Sequence, residues 1–250
     1  VVLDLLSGGR FHLGVAMGWR DEEFDAYGID KSERVGRTVE GIQLIRRLFT
    51  ERSVTYDGDI FQVEDLDLMP RPVQESIPIW YGGQSEYAIR RSARMADAWS
   101  MSPIETRSEL AESAELYREA LEEQDRSYDD VRKPLRREAY IAEDDETAWE
   151  EVGPSLLYEY QDVYGDYDDI GHSFDSDGDT EEAIEELREH ADGRFIIGSP
   201  ETAIEELARY REEVGIDDVI FRMHFPGLDP EKSGKSMRLV AEEVMPQFQQ

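Results

Sequence analysis

The chain has 250 residues and a hydrophobic fraction of 39%, enough to build a real core in one large domain or two small ones. Its formal net charge is −32, and only Lys31, Lys133, Lys232 and Lys235 are lysines. Such a surface excludes nucleic-acid binding, which needs clustered cations, and points to a salt-adapted cytoplasm where ions screen the self-repulsion. The absence of cysteine excludes disulfides, thiolate metal sites and a cysteine nucleophile, and no apolar run approaches the roughly 18–20 residues of a membrane span.

Residues 1–6 predict the end of a helix stopped by Ser7-Gly8-Gly9, and residues 10–16 a buried strand. The first residues lack the basic flank of a signal peptide, and the chain begins without Met inside an apolar helical pattern, so a longer polypeptide is expected. A helix is expected over 31–49, with Val35, Val39, Ile42, Ile45, Leu48 and Phe49 on one face. A hairpin turning at Asp57-Gly58-Asp59 follows, then a loop through Pro70-Arg71-Pro72. Further strands are predicted at 77–81, 98–101, 137–141 and 218–223, and helices at about 86–95, 107–124, after Asp144-Asp145, from Ser199-Pro200-Glu201, and over 235–248. An acidic insertion occupies roughly 153–193. Five strands alternating with helices imply an α/β fold with a parallel sheet, either doubly wound or closed into a barrel.

Two motifs carry chemistry. Gly82-Gly83-Gln84-Ser85 lies between a strand and a helix start, where glycines allow close backbone approach, Ser85 can cap, and first-turn N–H groups suit a phosphate. Arg90 and Arg91, further along that helix, read as surface or salt-bridged residues. Gly14-Val15-Ala16-Met17-Gly18-Trp19 ends the first strand, and the small Gly14 and Ala16 on one face leave room for a flat ring. His12, His172, His190 and His224 have no metal-ligand spacing; His12 reads as a core residue, whereas His224, beside Arg222 at the end of the last strand, is a candidate to touch substrate or cofactor. Asp175, Asp177, Asp179 and Glu186 mimic a calcium loop, but Thr180 stands where its hinge needs Gly, so no metal is expected.

The run from Leu3 through Ser7-Gly8-Gly9-Arg10 to Leu13-Gly14-Val15-Ala16-Met17-Gly18-Trp19 resembles the region around the fourth strand of luciferase-like monooxygenases, here an acidic member of haloarchaeal type. Tyr56-Asp57-Gly58 with Pro70-Arg71-Pro72, then Pro78-Ile79-Trp80-Tyr81-Gly82-Gly83-Gln84-Ser85, then Phe225-Pro226-Gly227 with Glu242-Glu243-Val244-Met245-Pro246, follow in the family's order. The resemblance implies a (β/α)8 TIM barrel forming one domain over 1–250, of which this chain supplies strands four to eight and lacks the first three β-α units. Such a barrel would have two open edges. It also implies a flavin phosphate at Gly82, Gly83, Gln84 and Ser85, a ring against Gly14 and Ala16, a pocket edge of Met17, Gly18 and Trp19, and a mobile lid over 153–193.

The implied activity is monooxygenation of a small organic substrate with reduced FMN and oxygen, by a homodimer served by a separate flavin reductase. Hydride transfer with coenzyme F420 is the alternative. A non-catalytic barrel fragment and a doubly wound sugar- or nucleotide-binding module are the remaining alternatives.

Overall fold

The structure, a computed structural model, describes residues 1–163, 180–189 and 193–248. Its contacts divide into two compact units, Val1–Ser100 with Leu116–Arg132, and Met101–Glu115 with Lys133–Gln250.

The first unit opens with α1 (Val2–Ser7), which ends where Gly8 takes the left-handed conformation at φ 65°. Then come β1 (Leu13–Val15), α2 (Asp21–Tyr27), α3 (Arg34–Thr50), the antiparallel hairpin β2 (Val54–Asp57) and β3 (Gln62–Leu66), β4 (Ile79–Gly82), α4 (Glu86–Met95) and β5 (Ala98–Ser100). Strands β1, β4 and β5 form a parallel sheet in the order β1-β4-β5, with Gly14 beside Trp80 and Tyr81 beside Trp99. Ile42 of α3 and Ala88 of α4 pack on Ile79 and Tyr81 to make this core. Asp4 is fully buried and accepts hydrogen bonds from the Val73 N–H and the Gln74 side chain, both at 2.7 Å, which pins α1 to the proline loop. Burial alone would raise its carboxyl, but the hydrogen bonds from Gln74 and Val73 hold it below its ordinary value.

Two expectations change here. The first strand is three residues long rather than seven, and it is not buried throughout: His12, Gly14, Ala16 and Gly18 are exposed while Leu13, Val15 and Met17 are half-buried. The cause is position, because β1 is an edge strand in its sheet and one of its faces is open. His12 is therefore not a core residue; its ring lies against Trp80, 4.3 Å between centroids. The helix α2 was not anticipated, since Asp21-Glu22-Glu23 leaves it without an apolar face.

The second unit holds β6 (Pro134–Ile141), α6 (Asp145–Tyr158), α7 (Thr180–Glu189), β7 (Ile196–Gly198), α8 (Pro200–Glu213), β8 (Asp218–Arg222) and α9 (Pro230–Leu239). The long α5 (Arg107–Glu122) runs across the division between the units. Strand β6 pairs in parallel with both β7 and β8, in the order β7-β6-β8. Six parallel strands are thus present among the described residues, against the five expected; β7 is the addition, too short to show a period in the sequence. Residues 153–158, assigned to the acidic insertion, continue α6 and bury Leu156 and Leu157, and α7 buries Ala183 and Leu187 on the same core. A Cβ on Gly153 would meet Ile184 at 2.8 Å, so α6 and α7 approach at the one place that lacks a side chain. The closing helix begins at Pro230 instead of Lys235, because Asp229 caps it and Pro230 suits the first turn.

Arg137 of β6 is fully buried without a carboxylate partner among the described residues. It donates to the Tyr210 hydroxyl at 2.8 Å, the Ser102 carbonyl at 2.8 Å and the Glu105 carbonyl at 2.7 Å, joining the sheet, α8 and the segment before α5. Removing it strands three buried acceptors at once. Arg137→Met is expected to lower stability by about 3–5 kcal/mol, read by urea unfolding at constant KCl concentration.

Candidate functional site

The site is built on the C-terminal ends of β1 and β4. A Cβ on Gly82 would meet the Val15 carbonyl oxygen at 3.7 Å, the Ala16 Cβ at 3.8 Å and the Ser100 carbonyl oxygen at 4.0 Å. Gly82 therefore sits between the ends of its two neighbouring strands, and the two sequence motifs meet there. Beyond Gly14 nothing lies within 4 Å in the Cβ direction, and Ala16 is also exposed, so this face is open.

The turn that follows is fixed from three sides. Gly83 has φ 155°, and a Cβ there would overlap the Ala88 Cβ at 2.5 Å, so no other residue fits. The buried Trp99 of β5 donates from Nε1 to the Gly83 carbonyl at 2.8 Å. Ser85 caps α4 in extended conformation, its Oγ accepting from the Ala88 N–H at 3.3 Å. The N–H groups of Glu86 and Tyr87 in the first turn have no intrahelical acceptor, and with the dipole they present a positive end. The Glu86 carboxylate, which would repel an anion, is held by Arg90 at 2.8 Å, and Arg90 also bonds Glu123 at 2.9 Å.

Arg91 departs from the sequence reading. It is in no ion pair in the described structure; its guanidinium donates to the Tyr81 hydroxyl at 3.0 Å and lies 3.6 Å from the Met17 Sδ. Met17 itself turns away from Gly14 and Ala16, onto the core of Ile79 and Tyr81. Gly18 has φ 76° and its carbonyl accepts from Arg34, while Trp19 is half-buried with the Arg20 guanidinium 4.7 Å from its ring centre. Gln84 is half-buried within the turn. No role was given to Tyr81 or Trp99 from the sequence, although the alternation of β4 marks Tyr81 as facing α4.

His224 belongs to the second unit, exposed after β8, with Nδ1 2.9 Å from the Ser233 hydroxyl. His172, His190, Asp175, Asp177 and Asp179, and residues 164–179 and 190–192 of the expected lid, fall outside the described residues, while Glu186 lies in α7. Among the described residues no cluster of acidic or histidine side chains could hold a metal, and no helix is long and apolar enough to cross a membrane. Two apolar cavities, of about 430 Å³ beside Leu13 and Phe49 and about 590 Å³ beside Val219 and Phe221, lie elsewhere than the Gly82–Ser85 turn.

A family model described as luciferase-like monooxygenase matches residues 1–218. The chain belongs to the luciferase-like monooxygenase family. It is 33% identical over 102 residues to an uncharacterized protein of Mycobacterium bovis, a match spanning 40% of this chain and 36% of that protein. Similarity to the F420-dependent glucose-6-phosphate dehydrogenase of Microbacterium testaceum runs over 261 residues at 27% identity, 98% of this chain and 71% of the relative. The FMNH(2)-dependent dimethylsulfone monooxygenase of Pseudomonas putida is 32% identical over 99 residues, 38% of this chain and 27% of the relative. Among solved structures, monooxygenase RslO1 from Streptomyces bottropensis superimposes with a TM-score of 0.78 at 21% identity, covering 99% of this chain and 71% of that one. The fold neighbours are luciferase-like α/β TIM barrels, and the homologues are flavin- or F420-dependent oxidoreductases and monooxygenases.

The turn geometry predicts two unlike glycines. Gly83→Val is expected to cost about 2–4 kcal/mol from backbone strain and overlap with Ala88. Gly14→Ala, facing open space, is expected to stay within about 0.5 kcal/mol of the parent in the same urea titration.

Proposed function

We propose that this protein is a flavin-dependent monooxygenase that acts on a small organic substrate with reduced FMN and oxygen. The observation that carries the reading is the meeting of Gly82 with Ala16 at the strand ends, next to the N-terminus of α4. The residues present fit the cofactor. Orphan N–H groups at Glu86 and Tyr87, with Gly83 and the Ser85 hydroxyl, would hold its phosphate; Gly14 and Ala16 would leave space for its ring. When bound, reduced FMN supplies two-electron chemistry with oxygen. The chain's task is to orient that ring: Trp99 fixes the Gly83 carbonyl, and Tyr81 and Arg91 brace the β4–α4 junction from the core side.

Gln84, Gly18 and Trp19 complete this proposed cofactor edge, with Met17 supporting it from behind. His224 is assigned to substrate contact, 153–193 to a lid, and the chain to a single barrel domain. A homodimer in a cytoplasm of high salt, served by a separate flavin reductase, completes the reading. A second reading, hydride transfer with coenzyme F420, is favoured by the match to the Microbacterium testaceum enzyme across 98% of this chain.

Fluorescence quenching of FMN and of F420 in concentrated KCl tests both readings. The parent protein is expected to bind one of them. Ser85→Ala should weaken it by less than about tenfold, the loss of one hydrogen bond, whereas Ser85→Asp should weaken it by about a hundredfold or more by setting a carboxylate against the phosphate. Binding of neither cofactor, or equal binding by Ser85→Asp and the parent, would reject the assignment.

A further inference from the structure

The second unit carries a polar site of its own on β6 and β8. Arg137 of β6 reaches Tyr210 of α8, and Val219 and Phe221 of β8 line an apolar cavity with Leu207 and Val240, so that face of the strand pair is covered by helices. Alternation puts Arg136 and Glu138, and Ile220 and Arg222, on the opposite face, where the register sets Arg136 beside Ile220 and Glu138 beside Arg222. Ile220 is 44% exposed and Arg136 and Arg222 are half-buried, so solvent reaches part of this face, yet Glu138 is only 2% exposed.

Glu138 Oε2 has no hydrogen-bond partner among the described residues. The neighbouring Arg222 directs its 2.7 Å ion pair to a different carboxylate, the buried Glu159 in the turn after α6. A carboxylate in this position would be desolvated with one oxygen unmatched, which favours the neutral acid, whose proton would be a donor without an acceptor here. Burial pushes the Glu138 carboxyl up, against the pull of its own backbone N–H and of Arg136, Arg137 and Arg222.

We infer that Glu138, with Arg222 beside it, forms a binding subsite for the acceptor oxygen of a neutral carbonyl- or hydroxyl-bearing organic compound, to which the Glu138 carboxylic acid donates. The inference rests on the proposal that the protein acts on a small organic substrate. Neutral rather than anionic ligands are selected because Glu159 already balances the charge of Arg222.

The probe is cyclohexanone labelled at its carbonyl carbon, titrated into the full chain in KCl buffer and followed by isotope-edited infrared spectroscopy. The parent is expected to bind it with the carbonyl stretch lowered by hydrogen bonding, and to lose affinity as pH rises and the acid ionises. Glu138→Leu should weaken binding by about tenfold, the equivalent of one hydrogen bond. Glu138→Gln, whose amide still donates, should stay within about threefold of the parent and lose the pH dependence. It keeps the test decisive if Glu138→Leu does not fold. No binding by the parent, unchanged affinity in Glu138→Leu, a pH dependence surviving in Glu138→Gln, or tighter binding of sodium benzoate than of cyclohexanone would overturn the inference. FMN titration of the same variants, expected to match the parent, separates this subsite from the cofactor: loss of FMN binding in the parent rejects the flavin reading, while the cyclohexanone data judge Glu138.

Discussion

The passage from β4 into α4 is the constraint on which the site depends. The chain must leave the sheet between the ends of β1 and β5, turn, and enter a helix whose first residues pack back against the strand. Gly82 lies within van der Waals reach of the ends of both neighbouring strands, and at position 83 only glycine tolerates φ 155° with Ala88 underneath. Trp99 and Ser85 then fix the turn from the sheet side and the helix side. The positive end of α4 therefore emerges where β1 offers an open, small-residue face, and a cofactor that is flat at one end and anionic at the other suits that pairing.

Ionic groups are distributed by the same logic of satisfaction. A net charge of −32 is tolerable only where water or counterions hydrate it, and among the described residues most buried ionic groups are matched in a specific way. Asp4 takes three N–H donors, Arg137 takes neutral carbonyl and hydroxyl oxygens, and Glu159 takes Arg222. Glu138 departs from this pattern, since a buried atom of its carboxyl is left without a partner.

The elements that were legible in the sequence are those whose signals coincide. An apolar strand, two glycines, a capping serine and an amphipathic helix all agree at residues 77–95, and Asp57-Gly58 marks the hairpin. Elements with one weak signal were missed: α2 has no apolar stripe, and β7 has three residues. The side-chain environments around β1 were misjudged because an apolar run cannot reveal that one face of the strand is uncovered, the face on which His12, Gly14 and Ala16 are exposed. Arg137 and Glu138 were invisible as functional groups, since their surroundings are made by residues as distant in sequence as Tyr210 and Arg222.

The central claim, that the β4–α4 turn holds a cofactor phosphate, is tested most directly by comparing ligands that differ only there. Fluorescence titration of the parent protein with FMN and with riboflavin, in parallel with F420 and its phosphate-free deazaflavin, isolates the phosphate contribution. The account predicts that the phosphorylated member of the bound pair is favoured by about tenfold or more, and that raising KCl narrows the gap only modestly because the donors are backbone N–H groups. Equal affinity for the phosphorylated and phosphate-free forms would contradict it.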